Sequence, residues 1–358
     1  MRRVLNWFRH KLPRKPAPAP RRLVRLHLEP LDERLVPSTT GLSSAISINH
    51  SLGQFFYTER DWFTIDQSTT QVVEFQGTSR HNLGGPTNVR GVSASVDPNT
   101  GWGGVFALAG PVLGPHTLWW CDSYGNWWNY FTGTYKGIAA TRDGHVYAVT
   151  QDGSDVVYWN ANGIGTDLGA PNPRNRPWAD AYPAASLGWS SHNEVFVLGE
   201  DQAIYVNMAN VSGAWQLVDN SQLFASLSAS ANNTLFALTV GGQLYQETER
   251  LSFFPYPHLS WSGQDISGGR VYSLISADND ASGRAEVYAI QTNPQNFWLP
   301  GNLYLYDQGS WSWKDSDVYD VSGADGGFFY DVNYANHTYP AWLFDPNGWW
   351  TYLGSGLW

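Results

Sequence analysis

The stretch Arg142-Asp143-Gly144-His145-Val146-Tyr147-Ala148-Val149 decides how this chain is read. Asp-Gly adopts the positive backbone angles of a tight hairpin at little steric cost. Gly137 to Thr141 before it and His145 to Val149 after it alternate apolar with small or polar residues. A period of two suits half-buried strands. The second strand returns along the chain as Phe56-Tyr57, Val105-Phe106-Ala107-Leu108, Val146-Tyr147-Ala148-Val149, Val195-Phe196-Val197-Leu198, Leu235-Phe236-Ala237-Leu238, Val287-Tyr288-Ala289-Ile290 and Phe329-Tyr330-Asp331-Val332. Successive copies stand 49, 41, 49, 40, 52 and 42 residues apart. A period in the forties with several strands per unit is the range of propeller blades.

Two further marks recur inside each unit. An apolar–aromatic pair opens a third strand: Leu118-Trp119, Val157-Tyr158, Ile204-Tyr205, Leu244-Tyr245 and Leu303-Tyr304. A tryptophan opens the fourth: Trp127, Trp215, Trp311 and Trp349. The third and fifth units lack that outer tryptophan. A single four-stranded blade cannot cover both of its faces, so stacked blades bury their rings against one another. The expectation is an all-β, seven-bladed propeller of four-stranded antiparallel blades over residues 41–358. A separate basic, Pro-rich segment, residues 1–40, precedes it.

Composition agrees with a turn-rich all-β body. The 358 residues include 36 Gly, 19 Trp and 19 Tyr, and only 15% are charged. No run of eighteen apolar residues exists, so no transmembrane helix is expected. Charge is unevenly placed: residues 1–40 carry ten Lys and Arg against three Asp and Glu, while the whole chain is at −10. The body is therefore strongly acidic, which argues against a nucleic-acid partner because phosphates would be repelled. The single cysteine, Cys121, excludes internal disulfides and zinc sites built on paired cysteines. It reads as a small buried residue.

Within the first forty residues, the run from Arg2 to Arg22 is basic and rich in proline and should be disordered. It is followed by Leu28-Glu29-Pro30-Leu31-Asp32-Glu33-Arg34-Leu35-Val36-Pro37-Ser38. This resembles an L-E-x-L-E-x-R-x-x-P motif near the start of exported proteins in one bacterial phylum. The resemblance implies a secreted or surface-displayed protein, although the apolar core of a Sec signal is not present.

The repeating unit, a strand, an Asp/Asn-Gly hairpin, V-[FY]-A-L, L-Y and an outer tryptophan, resembles the tectonin and tachylectin-type propeller repeats. That resemblance implies a lectin-like protein holding sugars in pockets between blades. A pyranose needs an aromatic face and nearby amides or hydroxyls. Trp127 and Trp128 stand between Asn126 and Asn129, and Trp215 stands beside Gln216. Trp311 and Trp313 flank Ser312, and Trp349 and Trp350 follow Asn347-Gly348. These seven tryptophans are the candidate carbohydrate-binding residues. Each could equally be blade-to-blade core, since buried rings dominate core energetics.

One turn departs from the minimal Asp-Gly form. Asp278-Asn279-Asp280-Ala281-Ser282-Gly283-Arg284-Ala285-Glu286 places oxygens at alternate positions with a glycine sixth, a spacing that can wrap a hard cation. It resembles the calcium hairpin loops of integrin-type propellers. Asp278, Asp280, Ser282 and Glu286 are thus candidate Ca2+ ligands, the one cofactor expected. No nucleophile elbow, H-E-x-x-H or phosphate loop occurs, so the reading is not an enzyme. The expected function is a non-catalytic, exported propeller binding a glycan or surface polysaccharide. Two alternatives stay open: a structural or protein–protein interaction propeller without a small ligand, and a propeller glycoside hydrolase or lyase using two facing carboxylates.

Overall fold

In the computed structural model the described residues lie between Ser43 and Ser355, with connecting segments such as 172–183, 280–283, 293–300 and 333–339 outside them. The N-terminal segment 1–40 also lies outside the described residues. Everything described is strand or turn. The first sheet is β1 (Ser43–Leu52), β2 (Phe55–Asp66), β3 (Gln71–Gln76) and β4 (Ser79–Gly84). The second is β5 (Val89–Val96), β6 (Gly103–Ala109), β7 (Thr117–Cys121) and β8 (Trp127–Trp128). The third is β9 (Tyr135–Ala140), β10 (His145–Thr150), β11 (Val156–Asn160) and β12 (Gly165–Asp167). The fourth is β13 (Ala184–Leu187), β14 (Asn193–Leu198), β15 (Ile204–Met208) and β16 (Trp215–Asp219). The fifth is β17 (Phe224–Ala229), β18 (Thr234–Thr239), β19 (Leu244–Ser252) and β20 (His258–Asp265). The sixth holds seven strands: β21 (Tyr272–Asn279), β22 (Ala285–Gln291), β23 (Gly301–Asp307), β24 (Ser310–Ala324), β25 (Gly327–Val332), β26 (Pro340–Phe344) and β27 (Trp350–Ser355).

The propeller therefore has six blades, not the seven expected. The strands assigned to a seventh unit belong to the sixth sheet because β24 runs unbroken for fifteen residues. Its first part pairs with β23, Asp307 opposite Ser310 through Gly301 opposite Val318. Its last part pairs with β25, Val318 opposite Val332 through Ala324 opposite Gly327. The physical reason is in the sequence: no glycine or proline interrupts residues 311–322. The strand turns its course at a bulge near Val318, after Asp317 in left-handed backbone at φ 62°. β24 packs against both β21 and β1, which brings the sixth sheet against the first.

The first unit also differs from its reading. Trp62-Phe63-Thr64-Ile65, not Phe56-Tyr57, corresponds to the V-[FY]-A-L anchors. Both lie on the long strand β2, and it is Phe63 and Ile65 that pack with Val105 and Ala107 of the next blade.

The anchors explain how the blades adhere. Successive residues of a strand point to opposite faces. So the branched residue of each anchor meets the preceding blade and the aromatic one meets the following blade. Phe106 and Leu108 pack with Val146 and Ala148; Tyr147 and Val149 pack with Val195 and Val197. Phe196 and Leu198 pack with Leu235 and Ala237; Phe236 and Leu238 pack with Val287 and Ala289. Trp62 closes the series against Leu343. Each buried ring or branched chain contributes roughly 1.5–3 kcal/mol.

The Asp143-Gly144 hairpin is fixed by the blade before it. Gly144 has φ 84°, and a Cβ there would sit 2.8 Å from Pro98 Cδ and 3.1 Å from the Val96 carbonyl oxygen. Its N–H donates to Ser95 Oγ at 3.1 Å, while Ser95 Oγ donates to the Thr141 carbonyl at 2.6 Å. Inner strands are tied in the same way elsewhere: the Ala140 N–H donates to Ser93 Oγ, and the Ala277 N–H to Ser228 Oγ.

Candidate functional site

Strand register places the outer tryptophans in one repeating row. Val105 pairs with Cys121, which pairs with Trp127; Val195 with Asn207 and then Trp215; Val287 with Tyr306 and then Trp311. Each of these rings lies half-buried over the preceding blade and donates its N–H there. Trp127 Nε1 reaches the Leu83 carbonyl at 2.9 Å, Trp215 Nε1 the Leu168 carbonyl at 3.0 Å, and Trp311 Nε1 the Ile266 carbonyl at 2.7 Å. Trp311 also stacks on Tyr272 at 5.0 Å and meets Tyr304 and Tyr306. The Arg270 guanidinium sits 4.8 Å over the Tyr304 ring and 5.9 Å from that of Trp311. Burial pushes the Tyr272 phenol up to about 12, against the pull of Arg270. Cys121, in the same row, is buried, and burial with nearby Asp122 and Glu74 holds its thiol protonated.

The two blades without an outer tryptophan fill the row differently. In the third, Val146 pairs with Trp159, which pairs with Gly165. The tryptophan has moved one strand inward, and a Cβ on Gly165 would lie 2.5 Å from its ring. In the fifth, Leu235 pairs with Glu247, which pairs with Gly263. Here a carboxyl takes the place of the ring: a Cβ on Gly263 would lie 2.2 Å from Glu247 Oε1.

Glu247 is 1% exposed. No donor of the described residues reaches either of its oxygens. Its hydrogen-bonding neighbour is the Asp219 carboxyl at the end of β16, on the facing blade. Two acceptors hold such a contact by sharing a proton. Burial first, then Asp219, pushes Glu247 up to about 8, so it is protonated at neutral pH. Ser221 supports Asp219, its N–H donating to Oδ1 at 2.6 Å and its hydroxyl to Oδ2 at 3.1 Å. Beside the pair stand Tyr245 and Trp261, both half-buried and packed on the fourth blade, Trp261 edge-on to Phe196 at 5.3 Å. The Trp261 N–H is buried and has no partner among the described residues. Burial, then Asp265, Asp219 and Glu247, raises the Tyr245 phenol above its ordinary range.

Two of the candidate tryptophans are open to solvent. Trp313 is 59% exposed on β24. Trp128 is 47% exposed, and its Nε1 donates to Asp122 Oδ2 at 3.3 Å. The same carboxylate accepts the Asn126 side-chain amide at 3.1 Å, the Asn126 N–H at 2.9 Å and the Tyr124 N–H at 3.0 Å. Against a desolvation cost that would raise it, these bonds hold Asp122 below the usual carboxylate range. Exposed Tyr124 completes a rim of two rings around an oriented amide and a carboxylate. Trp349 lies outside the described residues, as does the side chain of Trp350. Of the seven candidates, then, three are placed in seams, two on the surface and two lie beyond description.

Of the candidate calcium ligands, Asp280 and Ser282 lie outside the described residues. Asp278 and Glu286 are register partners across β21 and β22. Glu286 is buried and accepts the Tyr288 hydroxyl at 3.1 Å. Burial, then the charge of Glu286, drives the Tyr288 phenol well up. Among the described residues no three His, Cys, Asp or Glu side chains gather as a metal site, and no helix is long and apolar enough to cross a membrane.

Glu247, Asp219, Asp122 and Arg270 are absent from the sequence-derived candidates. One signal could have found Glu247. It stands three residues after the apolar opener Leu244, as Cys121 does after Leu118, Asn207 after Ile204 and Tyr306 after Leu303. A carboxyl at that recurring seam position is the anomaly.

No known family model matches the chain, and no curated protein matches its sequence. Among solved structures it is similar to the BP39L lectin of Burkholderia pseudomallei, with TM-score 0.61 and 16% identity over 89% of this chain and 99% of that one. It is also similar to virginiamycin B lyase of Staphylococcus aureus, with TM-score 0.52 and 10% identity over 82% of this chain and 93% of that one. A third is the Swd1 (Cps50) β-propeller domain of Myceliophteria thermophila, with TM-score 0.50 and 10% identity over 76% of this chain and 89% of that one. A lectin and a lyase on one architecture leave the chemistry to the side chains. What the likeness establishes is the fold, a β-propeller.

Proposed function

We propose that this chain is a non-catalytic, carbohydrate-binding propeller whose sugar docks on the second blade at Trp128. The observation that carries this reading is the Asp122 carboxylate, which orients the exposed Trp128 ring and the Asn126 amide together. An apolar sugar face stacks on the ring while its hydroxyls meet a fixed amide and carboxylate. That fixed geometry limits the ordering cost of binding. Trp313 is the second platform. The half-buried Trp127, Trp215 and Trp311 hold the blade walls, their N–H groups being already engaged. The glycan is placed outside the cell, in keeping with the motif at residues 28–38.

A glycan-array screen of the full chain tests the proposal, followed by titration of the best glycan against Trp128→Ala. The expected result is saturable binding weakened at least about tenfold by the substitution. Binding that is unchanged in Trp128→Ala would remove this site.

A further inference from the structure

We propose that the seam between the fourth and fifth blades is a second binding site, for an organic ammonium group carried by an unacetylated amino sugar or a polyamine. Four observations converge there. First, Glu247 is buried, lacks a donor among the described residues, and points across the seam at Asp219. A carboxyl pair of this kind is one cation short of satisfied. Second, among the described residues the titratable groups around Glu247 are acids and a phenol. Asp219 comes from β16, Tyr245 from β19 and Asp265 from β20. Glu194 on β14 shares the face of Phe196, two residues on, and is also buried. Third, residues 193–265 hold seven Asp and Glu but one Lys or Arg, Arg250. Nothing in these two blades supplies compensating positive charge in number. Fourth, two aromatic rings, Tyr245 and Trp261, stand beside the pair.

An ammonium group fits this arrangement chemically. It offers three donors, Glu247 accepts from none among the described residues, and ring faces attract it. An anion would be repelled, and no three-carboxylate metal cluster forms among the described residues. Access follows from the missing side chain at position 263. The Glu247 carboxyl occupies the space a residue there would fill, and Gly263, Gln264 and Asp265 are exposed at the mouth. The exchange balances: the ligand enters as R–NH3+, the proton shared by Glu247 and Asp219 leaves to solvent, and the cation pairs with both carboxylates.

That proton gives the test its distinctive readout. Calorimetric titration of the full chain is run at about pH 6, where Glu247 and a glucosamine amine are both protonated. The ligands are a glucosamine trisaccharide, its N-acetylated counterpart and spermidine. The expected result is binding of at least one free-amine ligand, with release of close to one proton per site seen as buffer-dependent heat. The preferred source is whichever of the two binds at least about tenfold tighter. Glu247→Gln should abolish the proton release and weaken binding about tenfold or more; Asp219→Asn repeats the test if the first variant unfolds. The site is separate from that at Trp128, so Trp128→Ala should leave the ammonium titration intact. Equal binding of the N-acetylated sugar, binding without proton release, loss in Trp128→Ala, or no binding by either amine would each overturn the proposal.

Discussion

The seam between the fifth and sixth blades and the seam between the fourth and fifth occupy equivalent places in the propeller, yet they are held by opposite means. In the former, Trp311 stacks on Tyr272, packs among Tyr304 and Tyr306 and donates to the Ile266 carbonyl. The ring N–H is engaged, and Arg270 adds a cation over the Tyr304 and Trp311 rings. In the latter the same row ends in Gly263, and the buried group is Glu247 facing another acid. Ring burial and a satisfied N–H stabilise the first. The second keeps one charge-capable carboxyl, Glu247, out of water at a cost that only a proton or a cation offsets. A repeat fold can thus close one seam with rings and leave an equivalent one to a buried acid.

The largest consequence is for the tryptophan seam. Trp311→Ala removes the stacked ring, the cation–π contact and the N–H bond at once, and should destabilise the protein by about 4 kcal/mol. Denaturant unfolding measures it. A loss under about 1 kcal/mol would mean that the row of rings does not hold the blades. Trp311→Phe separates ring from hydrogen bond, since it should cost only the latter plus the smaller ring.

The acid seam should show itself through pH. Glu247 moves from 4.5 when unfolded to about 8 when folded. Below 4.5 both states are protonated and its contribution is fully present. Between those values the unfolded state ionises while the folded one does not, so stability falls as pH rises. Above about 8 both are ionised and the curve is flat. The loss from this one group, discounted for the solvent that reaches Asp219, is about 3 kcal/mol. Unfolding free energies of the protein and of Glu247→Gln across that range check it. The slope should vanish in the variant; an equal slope in both would assign it elsewhere.

Much of this was legible in the residues, and the failures have local causes. The V-[FY]-A-L anchors carried the blade repeat because a period-2 strand buried on both faces has few acceptable sequences. The Asp143-Gly144 turn was legible for the same reason: only glycine fits beside Pro98 at that φ. The blade count was missed because sheet boundaries are set by where a strand stops. Nothing in Trp311 to Ser322 breaks the strand, and anchors alone do not report that. Phe56-Tyr57 misled because it imitates an anchor on the same strand as the true one, Trp62-Phe63. The outer tryptophans were legible as a set, but not which of them face solvent. That depends on neighbours such as Leu83 and Asp122, which are remote in sequence or unremarkable in type. The acid pair was hidden because Glu247 and Asp219 are 28 positions apart and each alone resembles a solvated strand end.

The two glycines that close the odd rows offer the finest discrimination. Gly165 lies under a ring and Gly263 under a carboxyl, with 2.5 Å and 2.2 Å to the nearest side-chain atom from an added Cβ. Distance alone would make Gly263→Ala the worse substitution. The neighbours decide otherwise. Trp159 is buried, donates its Nε1 to Tyr135 Oη at 3.1 Å and packs edge-on to Phe131 at 5.6 Å, so its ring cannot retreat without breaking those contacts. What Gly263 meets is only the Oε1 end of the Glu247 side chain. Gly165→Ala should therefore cost about 2–3 kcal/mol and Gly263→Ala about 1 kcal/mol. Gly263→Ala should also flatten the fall in stability toward pH 8, because a displaced carboxyl reaches water and no longer shares its proton. In the Glu247→Gln background the slope is already absent, so the added alanine should change stability without changing pH dependence. A pH slope that survives Gly263→Ala unaltered would show that the carboxyl keeps its place and that the glycine is not what admits it.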